Sequence, residues 1–301
     1  MSAPVNQLRQ EPAPPDAALL GPDGSPEPKA RRLSSLLAPL SAAVLLLVLW
    51  QLTFNSGVVN NLILPAPGDV AASFYSITFR SGLVWEHAWV TTTEAVLAFV
   101  IGSAGAAVIA ISAALSPLIR RMIYPFMIAF QVTPRIAIAP AVIAALGFGI
   151  MPKVVIGAAI CFFPIFLNML TGLTSVEPDT REMFRSLGAS QRKIFTHLSL
   201  PSAAPITFAG LQSGISFALI GAVVGEFISA GAGLGFLLHQ FSFELNMPGA
   251  FAVFFWLTII GLVLFGAIHL LSRVVVFWLR DEGLVARSER RAAKAARAGL
   301  A

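Results

Sequence analysis

The chain has 301 residues, of which 56% are hydrophobic and only 12% charged, with a formal net charge of +5. A soluble domain carries about 25% charged residues, and several apolar runs here reach the roughly 20 residues that span a bilayer, so a soluble fold is excluded and an all-α polytopic membrane protein is expected. The ten-residue alternation of a transmembrane β-barrel is not found, and no basic patch with interleaved aromatics accompanies the high pI, which argues against nucleic-acid binding.

Residues 1–33 include "EPAPPDAALLGPDGSPEPKARR", rich in Pro, Gly and Ala and without an apolar period, and read as a disordered tail. The apolar run that follows starts too late and runs too long for a signal peptide. It is the first of six expected spans, at about 36–54, 90–115, 122–149, 154–173, 205–229 and 250–279. Together they make a transmembrane domain over 34–280, with a loop at 174–204 and a basic tail at 281–301.

The third span holds Pro125, Pro134 and Pro140 beside Gln131, Thr133 and Arg135. Prolines break the backbone ladder, which is tolerated where neighbours or a water-filled cavity satisfy the freed groups. A cation at this depth needs a counter-charge or an aqueous path. Arg135 therefore either attracts an anion in transit, or snorkels to phosphates or pairs with Glu94 or Glu226. Cys161, the single cysteine, lies in the fourth span and reads as a small buried hydrophobe.

The 174–204 loop carries "EMFRSLGASQRKIFTHLSLP", from Glu182 to Pro201. Asp179 with Glu182 three residues later resembles a capping box that would start a helix. Gly188 suits a left-handed stop, and Ser190 a cap for a second helix that the chain leaves at Pro201. Met183, Phe184 and Leu187 fall on one face of the first helix, and Ile194, Phe195 and Leu198 on one face of the second. Isolated helices this short are marginal in water. They pack either on the membrane and their own spans, or into the groove of a partner.

In the fifth span Gly210, Gly214, Gly221 and Gly225 are spaced by 4, 7 and 4. They fall within about 60° of one another, a seam for close approach to another helix. Glu226 points away from it, and either ends the span near the headgroups or carries a carboxyl group toward a cavity or the outer surface. "SAGAGLG" after this span reads as a short re-entrant or turn element at the outer mouth. The four histidines are dispersed, with no metal-ligand spacing.

Charge sets the direction. With six spans and both termini cytoplasmic, seventeen of the twenty Lys and Arg fall inside, among them Arg120, Arg121, Arg181, Arg185, Arg192 and Lys193. Only Arg80 and Lys153 fall outside. The 174–204 loop is then cytoplasmic. The basic tail is either a solvated segment or a helix on anionic headgroups.

The loop resembles the signature of the inner-membrane permease subunits of binding-protein-dependent ABC importers, Glu-Ala-Ala, three residues, Gly, nine residues, Ile, one residue, Leu-Pro. Glu182, Gly188, Leu198 and Leu200-Pro201 stand at the matching positions, while Met183 and Phe184 replace the two alanines, a bulkier contact. "LILPAPGDV", "TPRIAIAPAVIAALGFG", "FFPIFLNMLTGL" and "VVGEFISAGAGLG" are similar to the nitrate/sulfonate/taurine branch. The resemblance implies a bacterial inner-membrane, multi-pass permease whose pathway is shared with a second permease subunit, as a homodimer. Two copies of an ABC ATPase sit beneath, each receiving the loop helix through Glu182, Met183, Phe184, Arg185, Leu187, Gly188, Leu198 and Pro201. An extracytoplasmic solute-binding protein delivers the solute. The family has a Glu near the position of Glu226, which favours a structural or gating role there. The expected cargo is a small anionic solute such as a sulfonate, taurine or nitrate, with a pyrimidine-type or aromatic compound as the alternative. No GxxxxGK[ST] loop occurs, so the chain is not expected to be an enzyme or to bind a cofactor itself, ATP being held by the partner. Competing readings are a stand-alone secondary carrier, which internal repeats and an acid or His relay would mark, and a membrane enzyme, for which no catalytic constellation is found.

Overall fold

A computed structural model describes the backbone of residues 29–60, 63–229 and 231–278, with side chains from Leu40 onward apart from residues 61, 62, 128, 131, 135, 229 and 230. Most of the 1–33 tail and the whole 281–301 tail lie outside the described residues. Among those described the structure is helical, without a strand. One compact unit is Phe54–Leu279; the other contains most of helix α1 (Lys29–Asn55), whose apolar side chains Leu46 and Leu52 are exposed.

The larger unit is built around α6 (Ile150–Thr174), which packs on α3 (Leu83–Leu115) and on α9 (Leu200–Ser229). Small residues let the three backbones approach. On α3 a buried stripe runs through Ala95, Ala98, Gly102, Ala106, Ala110 and Ala113. On α9 the glycine seam faces α6: Gly210 lies over Asn168, Gly214 over Ile165, Gly221 over Gly157 and Gly225 over Lys153. A Cβ on Gly221 would stand 3.0 Å from the Gly157 nitrogen and closer still to its Cα. Hydrocarbon tails give helices no hydrophobic reason to associate, so contact of this closeness supplies the attraction through dispersion.

The third apolar run is broken. Helix α4 (Pro117–Val132) ends where Pro134 holds Thr133 in the extended region, with ψ 129. A 3-10 turn (Arg135–Ile138) follows, then α5 (Ala139–Leu146), which accommodates Pro140 in its first turn, where a missing N–H is harmless. Helices α3, α6, the continuous helix Gln191–Ile228 and α11 (Met247–Val275) are long and apolar enough to cross a membrane, while Leu40–Asn55 and Ile136–Leu146 are shorter. Of the six expected spans, four are these long helices and the third is a pair of half-helices; the first lies within α1, whose side chains are described only from Leu40 onward.

Two short helices were not anticipated. Helix α2 (Pro67–Tyr75) continues into a π-helical turn (Ser76–Arg80) and lies on α11. Phe74 stacks on Trp256 at 5.7 Å, and Trp256 Nε1 donates to Thr78 at 2.9 Å. Trp85 meets the edge of Trp256 at 5.0 Å. Helix α10 (Leu234–Phe243) follows the bends at 231–233, within the segment read as a short re-entrant or turn element, and packs against α9 and α11.

Candidate functional site

The loop after α6 begins with α7 (Pro178–Ser186). Its N-cap is Glu177 with Pro178 at the first helical position, so the capping box read at Asp179 is not formed; Asp179 instead sits in the first turn, where the helix dipole favours an acid. The stop is a Schellman motif. Gly188, at φ +75, donates its N–H to Arg185 O at 2.9 Å, and Ala189 donates to Phe184 O at 3.0 Å. Ser190 caps α8 (Gln191–Ile194) by accepting from the Lys193 N–H at 3.4 Å.

The chain does not leave this second helix at Pro201. It continues through a π-helical turn (Phe195–Ser199) into α9, so α8 is the far end of the fifth span. The wider π turn accommodates the proline: Pro201 has no N–H to give, and the extra residue relieves the carbonyl its ring would strike.

The two faces paired in the sequence differ in burial. Ile194 is buried, and Phe195 and Leu198 are half-buried against the spans. Leu200 and Pro201 line an apolar pocket of about 370 Å³. On α7, by contrast, Met183 is 53% and Leu187 78% exposed, with Phe184 half-buried and Glu182 and Arg185 exposed. One helix is anchored, and the other displays its apolar residues uncovered.

A second constellation lies at the opposite ends of α3, α6 and α9. Lys153, which the charge count took for a loop cation, is 5% exposed within α6 and pairs with Glu94 of α3 at 2.6 Å. Glu94 is thus engaged by Lys153; the side chain of Arg135 lies outside those described. Glu226 is 1% exposed, buried among its neighbours. Its Oε1 accepts from Thr91 Oγ1 at 2.7 Å and its Oε2 from the Gly235 N–H at 2.5 Å. Thr91 Oγ1 also accepts from the Leu234 N–H at 2.7 Å, and His87 Nδ1 from the Gly233 N–H at 3.0 Å.

Three successive N–H groups at the start of α10 are therefore capped by side chains of α3 and α9. Free helix N-termini otherwise leave such donors unpaired, and a carboxylate there also meets the positive end of the dipole. Gly233, at φ +116, and Gly235 must both be glycine, since a Cβ on either would run into Glu226. His87, Thr91 and Lys153 escaped the sequence reading. The one available signal was an acid and a base of opposite sign in or beside apolar runs, 59 positions apart. Among the described residues no group of three or more His, Cys, Asp or Glu could hold a metal ion.

A helical bundle with four membrane-length helices, a broken run beside them and a displayed helix beyond them has the architecture of a membrane transport subunit. The comparisons agree. Residues 102–280 match the family described as "binding-protein-dependent transport system inner membrane component". A formylaminopyrimidine transport permease protein of Halalkalibacterium halodurans is 31% identical over 84% of this chain and 100% of its own length. A putative aliphatic sulfonates transport permease protein of Escherichia coli K12 is 29% identical over 67% of this chain and 76% of its own. The fold is also that of a chain in the inward-facing MetNI methionine ABC transporter, with a TM-score of 0.55 and 18% identity over 64% of this chain and 98% of that one. The chain belongs to the binding-protein-dependent transport system inner membrane component family. It is a multi-pass permease subunit of an ABC importer, and such a subunit works with a separate ATPase and a solute-binding protein.

Proposed function

We propose that two copies of this chain form the translocation pathway, that both termini face the cytoplasm, and that α7 of each copy docks into a groove of one ATPase subunit. The observation that carries this reading is the exposure of Met183 and Leu187 at a helix joined, through the turn at Gly188, to the continuous α8–α9 helix that runs into the bundle. Force on α7 then reaches the glycine seam directly. ATP is held and hydrolysed by the partner.

The test is co-purification of the tagged chain with its cognate ATPase. Met183→Asp with Leu187→Asp puts two charges into the apolar contact without touching the bundle. ATPase recovery should fall at least about tenfold, the effect of removing little more than one buried apolar side chain from an interface, while the permease stays monodisperse. Undiminished recovery would place the contact elsewhere.

For the cargo, the extent of similarity to the formylaminopyrimidine permease favours a pyrimidine-type heterocycle. The second reading, a small sulfonate, taurine or nitrate, is favoured by the similarity to the sulfonate permease and by Arg135 at the break between α4 and α5. Uptake of labelled formylaminopyrimidine, challenged with excess taurine, separates them: competition by taurine would reverse the order.

A further inference from the structure

Helices α4 and α7 begin beside the same cavity, at the end of the bundle where the 174–204 loop lies. Its volume is about 330 Å³, and Arg120, Arg181, Thr174 and Pro178 stand in its wall. Two cations face it and no carboxylate does. The acids of α7 itself, Glu177, Asp179 and Glu182, are exposed and line none of it. Arg181 Nε is buried with no hydrogen-bond partner among the described residues, a state that native structures rarely leave unfilled. The salt bridge found among those residues is the distant Lys153–Glu94 pair, so neither arginine has a carboxylate partner among the described residues.

The cationic lining extends on both sides. A cavity of about 580 Å³ shares Arg120 and Thr174 and adds Arg121 and Tyr124. Another of about 270 Å³ shares Arg181 and adds Arg185. Two guanidinium forks suit the oxygens of a phosphate group, which accepts several charge-assisted hydrogen bonds at once. The positive ends of two helices lie alongside. The adjoining cavity that shares Arg120 has an exposed and largely apolar flank, through Tyr124, Pro125 and Leu167. A dissolved ion makes no use of such a flank, whereas acyl chains would cover it.

We propose that the headgroup of an anionic phospholipid occupies this cavity, its phosphate held by Arg120 and Arg181, and that it ties the start of α7 to the spans. The site stands whether or not α7 docks an ATPase. It makes the position of α7 sensitive to the lipid composition of the membrane.

The probes are phosphatidylglycerol, phosphatidylcholine and inorganic phosphate, added to the full-length purified protein in neutral detergent, with bound lipid counted by native mass spectrometry. Phosphatidylglycerol should bind more tightly than phosphatidylcholine. Arg120→Gln with Arg181→Gln should weaken its binding roughly thirtyfold, at about one basic-residue contribution each. Arg273→Gln, at an exposed position on α11, should leave it unchanged. Arg120→Lys with Arg181→Lys keeps the charge and should retain most of the binding, which preserves the test if the glutamine pair does not fold. The proposal is overturned by equal affinity in the glutamine pair and wild type, by an equal loss in Arg273→Gln, or by phosphatidylcholine binding as tightly. Displacement by inorganic phosphate at the same concentration as the lipid would assign the cavity to a soluble phosphate and remove the lipid.

Discussion

Lys153 and Glu94 form an ion pair where ions are costly. Each is about as buried as the alanines around it, at 5% and 2% exposed, and Glu94 Oε2 has no donor among the described residues. Such a pair adds little net stability over apolar residues of the same size, but losing one partner leaves a bare charge in an apolar surrounding. Lys153→Met should therefore destabilise the protein by about 3–5 kcal/mol. The double variant Lys153→Met with Glu94→Gln should recover most of that, because the remaining group is neutral. Thermal unfolding of the purified variants in detergent measures both. A double variant as unstable as the single would mean that the two residues do not act as a pair. The contacts of this cluster were invisible in the sequence for a plain reason: His87, Thr91 and Glu94 meet Lys153, Glu226 and Gly233–Gly235 only after three helices have packed, and no local pattern encodes a cap supplied from 146 positions away.

At the scale of elements, what could be read locally and what could not divide cleanly. The break in the third run was written in Pro134 and Pro140, and the end of α7 in Gly188, because each acts through its own backbone. The partner of the glycine seam was not, since Gly157 and Ile165 enter it from another helix. Pro201 misled: proline ends most helices, but here the π turn over Phe195–Ser199 absorbs it. That turn sets the angle at which α8, and α7 beyond it, are presented. Replacing Pro201 by Ala restores an N–H and removes the reason for the wider turn. If the segment relaxes to a regular helix, one residue is lost from the register and α8 rotates by about 100° relative to α9. Pro201→Ala should thus express and insert normally and yet lower solute uptake several-fold, as read by vesicle transport assays with the cognate ATPase. Uptake at the wild-type rate would show that the π turn carries no coupling.

For the whole molecule the question is which end faces the cytoplasm. With Lys153 withdrawn into the bundle, Arg80 is left as the single cation that the topology assigns to the outer side, which sharpens the positive-inside bias from which the orientation was inferred. The two ends carry different devices. One holds the capped start of α10 and the aromatic contacts of α2, the other the arginine-lined cavities and the displayed α7. Chemical labelling can tell them apart, because Cys161 is fully buried and will not react. Ser81 lies just after the turn that follows α2, and Ser186 at the end of α7, and both are exposed. In intact spheroplasts a membrane-impermeant maleimide should modify Ser81→Cys and leave Ser186→Cys untouched until the membrane is permeabilised. Ser186→Cys labelled from outside would invert the molecule and withdraw α7 from any contact with an ATPase. The expected pattern puts α7, its uncovered Met183 and Leu187, and the arginines behind it on the side where ATP is available.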